Sequence, residues 1–149
     1  MRYTKSGDQT AVGPESNFTG TVYIDGVRKP DEQSSIGCAH VRFTPDARTV
    51  WHHHTNGQTL YVTDGIGLVC RRGASRRRSA PATSSTSSLA RSTGTAQPPR
   101  RFMAHIAMQE ADDNGQVVTW LDHVTDAEYG HNGFSLSLLH RLRRLPAKL

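Results

Sequence analysis

Cysteine is almost missing from this chain: Cys38 and Cys70 are its two. They are too few and too far apart for a disulfide framework or a Cys-x-x-Cys zinc site, so both read as buried or half-buried thiols. Long apolar runs are missing too. No stretch approaches the roughly 20 residues that a membrane-spanning helix needs. The N-terminal MRYTKSGDQTAVGPESNF lacks the apolar h-region of a secretory signal. A cytoplasmic protein without a membrane partner is therefore expected. Apolar residues make up 35% of 149, which is low for a compact fold. The length allows one domain with a real core, and the composition leaves some of the chain outside it.

Acid is missing locally. Between residues 74 and 100 stand Arg76, Arg77, Arg78, Arg91 and Arg100 without one Asp or Glu, so this stretch accounts for the whole net charge of +5. Basicity confined to one segment argues against a nucleic-acid surface, which needs cations spread over a face. The segment, ASRRRSAPATSSTSSLARSTGTAQPPR, also lacks large apolar residues apart from Leu89. Such a composition buries too little surface to offset its ordering entropy, which predicts a disordered or poorly packed insert. An insert of that length within a compact domain is itself unusual.

What is present on either side is β patterning. Alternation predicts strands over Thr19 to Asp25, Ala39 to Phe43, Thr49 to His54, Thr59 to Thr63 and Gly67 to Arg71. Pro45-Asp46, Asn56-Gly57 and Asp64-Gly65 supply turn chemistry between them. Phe102 to Gln109 and Gln116 to Leu121 predict two further strands, and Asp122 to Tyr129 a short closing helix. Many short strands at regular spacing point to an all-β sandwich or small barrel.

The densest chemistry lies in WHHHTNGQTLYVTDGIG, Trp51 to Gly67. On an extended Trp51 to His54, side chains alternate, so His52 and His54 share a face and His53 takes the other. A short turn at Thr55, Asn56 and Gly57 then returns Gln58 over that face. Two imidazoles and an amide make half of a metal coordination sphere. Paired histidines on a strand are more often ordinary core or surface residues, and only the attached Gln58 and the glycine spacing favour ligation. His53 reads as exposed or packed, and Trp51 and Trp120 as core residues.

His52-x-His54-x3-Gln58 followed by Gly65 and Gly67 resembles the first motif of the cupin superfamily, with Gln where most members have Glu. Together with FTGTVYID, HVRFTPDARTVWHHH, GQTLYVTDGIG, HIAMQE and WLDHVTDAEY, it resembles the small single-domain bacterial cupins that include the manganese-dependent hydroxynitrile lyases. The resemblance covers about residues 1 to 72 and 101 to 130 of a domain spanning 1–130. It implies a double-stranded β-helix barrel of jelly-roll type with a divalent metal in its mouth, Mn(II) or else Fe(II), held by His52, His54 and Gln58. It also implies a lyase acting on cyanohydrin-like small molecules. His105 would serve as its acid/base, with Thr49 and Gln109 lining the pocket. A dimer or tetramer is implied as well. For His105 a satisfied core position is the competing reading. Asp46 stands at the family's usual turn glycine, a position Asp tolerates.

The family's second motif, a Pro-Gly-Asp turn, a strand and a His-Trp-His-Gly segment with the fourth ligand, is not present. Residues 74–100 take its place, while the spacing from Gly67 to His105 is kept. Permitted codons for Arg78 to Ser85, read one nucleotide earlier, give Ile-Arg-Pro-Gly-Asp-Val-Val. The same shift through Ser92 to Ala96 gives His-Trp-His-Gly. Kept length with changed content predicts paired compensating frameshifts, with Thr93 at the position of the fourth ligand and Thr95 at that of the second histidine. A neutral hydroxyl is a weak donor to a transition metal, so a weakened site is expected. The function expected is therefore a metal-dependent cupin lyase; a dioxygenase-like relative or an inactive remnant are the other readings. In the tail, 131–149, Leu138, Leu142 and Leu145 with Arg141 and Arg144 fit either a basic amphipathic helix or read-through past a lost stop codon.

Overall fold

Period-two alternation and frequent turn residues become two antiparallel sheets that curl around one core. The computed structural model of the chain describes residues 5, 9–74, 77–87, 93–96 and 101–129. In chain order the strands are β1 (Ala11–Val12), β2 (Phe18–Thr19), β3 (Val22–Arg28), β4 (Ile36–Phe43), β5 (Arg48–Thr49), β6 (His52–His53) and β7 (Gln58–Gly65). They continue as β8 (Gly67–Arg71), β9 (Arg77–Ser79), β10 (Ser84–Ser87), β11 (Thr93–Ala96), β12 (Met103–Glu110) and β13 (Thr119–Trp120), followed by a helix, α1 (Asp126–Tyr129). One sheet runs β1-β3-β4-β12-β7-β10. The other runs β13-β6-β11-β5-β2, with β8 also pairing β11 and β9.

The inner faces of the two sheets close on Phe18, Val22, Phe43, Leu60, Val62 and Met103, all buried. Cross-strand rows supply them in register: Val22 sits opposite Phe43, and Phe43 opposite Met103. A second, smaller cluster forms outside the β8/β11 sheet, where Trp51, Val124 and Tyr129 pack together. Helix α1 is held there by a capping box. Thr125 Oγ1 accepts the Glu128 N–H at 3.2 Å, and the Glu128 carboxylate accepts the Thr125 N–H at 2.9 Å. Arg48 ties the helix to β5, donating to Val124 O and Asp126 Oδ1 and stacking over the Tyr129 ring.

Several elements depart from the sequence reading. The single strand expected over Thr19 to Asp25 is two, because Gly20 turns the chain at φ 76°. Thr49 to His54 is also two, interrupted at Val50 and Trp51, where Trp51 exchanges backbone hydrogen bonds with Leu121 and Asp122. The strand expected over Gln116 to Leu121 shrinks to Thr119–Trp120, and the helix begins at Asp126, not Asp122. Within residues 74–100 the described parts form strands β9, β10 and β11, so the structureless insert argued from composition is not what they show. Their backbones complete sheet ladders whatever their side chains are, and Ser79 and Thr95 are buried. Arg76, Leu89, Arg91 and Arg100 and the tail 131–149 lie outside the described residues.

Asp46 does adopt the left-handed conformation of a turn glycine, φ 65°, closing the turn in which Ala47 N donates to Thr44 O. Ala82 does the same at φ 60° in the turn closed by Thr83 N and Ala80 O, a conformation that strains an alanine by roughly 1–2 kcal/mol. At Gly65, a Cβ would overlap the Phe102 carbonyl, so only glycine fits where β7 meets β12. No helix among the described residues is long and apolar enough to cross a membrane.

Candidate metal centre and cavity

The two histidines of the sequence motif come together. His52 and His54 are each 4% exposed, and their rings lie 5.3 Å apart at 86°. The break at Val50 creates a partner for the first imidazole, whose Nδ1 sits 3.0 Å from Val50 O; His54 Nδ1 sits 2.6 Å from Val117 O. A ring nitrogen facing a carbonyl carries the proton, which leaves the Nε2 lone pair of each ring free for a metal. His54 Nε2 is buried and has no hydrogen-bond partner among the described residues. Burial pushes both imidazoles toward the neutral form, His52 down to about 4, against the opposing pull of the backbone carbonyls.

Gln58 begins β7 opposite Gln109 of β12, and its Nε2 donates to Gln109 Oε1 at 3.0 Å. The donor set fits a borderline divalent ion: two neutral imidazoles and an amide oxygen, without a carboxylate. Among the described residues no group of three or more His, Cys, Asp or Glu side chains is placed to hold a metal, so the site depends on the amide. Thr93 is the cross-strand partner of His52. The position the frame argument assigns to a fourth ligand thus stands beside the first.

The other expected site residues fall as follows. His105 is 3% exposed on β12 with its ring 5.6 Å from that of Phe43, and its Nδ1 is buried with no hydrogen-bond partner among the described residues. Burial, with His40 and His52 adding to it, pushes its imidazole down to about 4. Thr49 is buried and its Oγ1 accepts Thr95 N–H at 3.0 Å, tying β5 to β11. A cavity of about 650 Å3 opens between β7 and β8 to β11, lined by Gln58, Thr93 and Thr95 but not by His52, His54, His105, Thr49 or Gln109. The sequence reading missed the carbonyls of Val50 and Val117. It read Trp120 as a core residue, whereas that side chain is 37% exposed with its ring 5.1 Å from that of His52. Val117 and Trp120 had no local signal, because both reach the histidines from a segment distant in sequence.

Two curled antiparallel sheets with paired imidazoles at one end of the barrel define a cupin. No protein-family model matches the chain. It is 38% identical over 130 residues to the (R)-mandelonitrile lyase of Granulicella tundricola, covering 87% of this chain and 98% of that protein. Among solved structures it resembles a cupin-like protein of Thermotoga maritima, with TM-score 0.75 and 27% identity over 85% of this chain and 95% of that one. An acetylacetone dioxygenase of Acinetobacter johnsonii matches at TM-score 0.59 and 18% identity, covering 87% of this chain and 88% of that one, a likeness of fold alone. The chain belongs to the family of small cupins that includes the Granulicella (R)-mandelonitrile lyase.

Proposed function

We propose that this cupin is a metal-dependent lyase acting on a cyanohydrin-like small molecule, with His52, His54 and Gln58 as metal ligands and His105 as acid/base. The observation that carries it is the pair of imidazoles whose Nδ1 atoms are tied to Val50 O and Val117 O, leaving two Nε2 lone pairs on one buried face. Kinship to a mandelonitrile lyase supports the substrate class. A divalent ion, Mn(II) before Fe(II), would supply Lewis-acid polarisation of the substrate hydroxyl.

The chain's own residues account for the proton. His105 is neutral at pH 7, so it accepts the proton of the substrate hydroxyl. As that O–H bond breaks, its electron pair forms the carbonyl, the bond from the same carbon to the nitrile carbon breaks, and cyanide leaves. The burial that disfavours charged His105 then drives the proton onto cyanide, releasing aldehyde and hydrogen cyanide and restoring the neutral ring. Gln109 keeps the Gln58 amide oriented and, with Thr49, bounds the substrate. Supplied with Mn(II), the chain is expected to cleave mandelonitrile. His105→Asn should lower kcat at least 100-fold while leaving metal content unchanged. Equal rates in the parent and His105→Asn proteins would rule out this role.

The same reading takes residues 74–100 as the out-of-frame remnant of a second ligand motif. Two features support it. The shifted frame places Gly at residue 82, where Ala82 holds a positive φ, and His at residue 93, opposite His52. Thr93 then leaves the site one imidazole short, so metal affinity is weak.

A further inference from the structure

The wall of the cavity formed by β8, β9 and β11 carries two cations on the face that bears His52. One row across the sheet runs Trp120, His52, Thr93 and Arg71 through successive strand pairs. The next row on that face runs Thr95, Val69 and Arg77. Cross-strand partners leave a sheet on the same side, and residues two apart on a strand do so as well. The intervening residues face the other way: Cys70 and Ala96 pack against the cluster of Trp51, Val124 and Tyr129, and a Cβ at Gly94 would meet the Trp51 ring. Arg71 and Arg77 both line the 650 Å3 cavity, together with Arg78, Gln58, Thr93 and Thr95.

No Asp or Glu lines that cavity among the described residues. Arg28, Arg42, Arg48 and Arg72 each hold a carboxylate, whereas Arg71 and Arg77 have no ion pair among the described residues. Three guanidinium groups, those of Arg71 and Arg77 from the face that bears His52, and a set of hydroxyls line a pocket without acid among the described residues and form an environment that favours an anion. The guanidinium fork matches a carboxylate in particular. Arg71 stands two strand spacings from His52, about 10 Å along the row. A small ligand at Arg71 can therefore reach Thr93 and Gln58, which line the same cavity, Thr93 being the cross-strand partner of His52.

We propose that Arg71 and Arg77 form an anion subsite, so that the cavity selects a small organic carboxylate whose opposite end approaches His52, His54 and Gln58. This rests on that centre being the ligand site proposed above. The test is calorimetric titration of the full chain with benzoate, its neutral isostere benzamide and inorganic phosphate at low ionic strength. Benzoate is expected to bind at least 10-fold more tightly than benzamide, with phosphate competing. The preference should fall below 3-fold in Arg71→Gln/Arg77→Gln and persist in Arg77→Lys. Equal binding of benzoate and benzamide to the parent chain overturns the subsite even if the double variant fails to fold. An undiminished preference in a folded double variant overturns it too. Phosphate binding that leaves benzoate unaffected overturns the carboxylate assignment. Manganese content of the same samples separates the two readings. Metal retained without a benzoate preference overturns the subsite alone, and a benzoate preference without metal supports the subsite while removing the metal centre.

Discussion

At the scale of single residues, His105 shows what burial does to an ionisable group. It lies against Phe43 with its charged form disfavoured, down to about 4 from the ordinary 6.5. Between those values the unfolded chain binds the proton and the folded chain does not. Its contribution to stability is therefore full above pH 6.5 and is lost as pH falls toward 4, on the order of 3 kcal/mol in all. Urea unfolding of the metal-free chain at pH 7.5 and pH 4.5 should show this loss, and His105→Asn should remove a large part of it. An identical pH dependence in both proteins would contradict the assignment. The residues of the metal centre were legible because His52, His54 and Gln58 are neighbours in sequence and strand alternation alone puts the two imidazoles together. The Val50 carbonyl was not, because it depends on a break in the strand two residues before His52, and the Val117 carbonyl and the cations Arg71 and Arg77 were not, since they come from segments distant in sequence.

Among elements, the strands with apolar alternation, β4, β7, β8 and β12, lie where the pattern placed them. Errors gathered where a turn hides within a good pattern, as at Gly20 or Val50, and where a ladder is made of polar residues. Strands β9 to β11 show the second case: Ser84 pairs Tyr61 and Thr93 pairs Arg71 by backbone bonds that composition does not announce. Helix α1 has four residues and no independent stability, so its capping box and its contact with Trp51 hold it. Thr125→Ala should cost about 1 kcal/mol by chemical denaturation. It should also raise the fluorescence accessibility of Trp51 to quenchers. A stability change within a few tenths of a kcal/mol would mean that Arg48 alone secures the helix.

For the whole molecule, the family resemblance and the fold agree, and the barrel forms its ladders around a second-motif region of foreign composition. The two sheets share one core, while the proposed metal centre takes its histidines from the sheet of β6, β11 and β13 and Gln58 from β7 of the other. In the proposed reading, Thr93 weakens metal affinity, and the same segment, 74–100, supplies Arg77, Arg78, Thr93 and Thr95 to the cavity wall. The most direct test is an Mn(II) titration of the purified chain, with free ion read by electron paramagnetic resonance. The account predicts one site per chain, lost in His52→Ala/His54→Ala and tightened at least 10-fold in Thr93→His. Manganese binding unchanged in the double variant, or no binding by the parent chain, would contradict it.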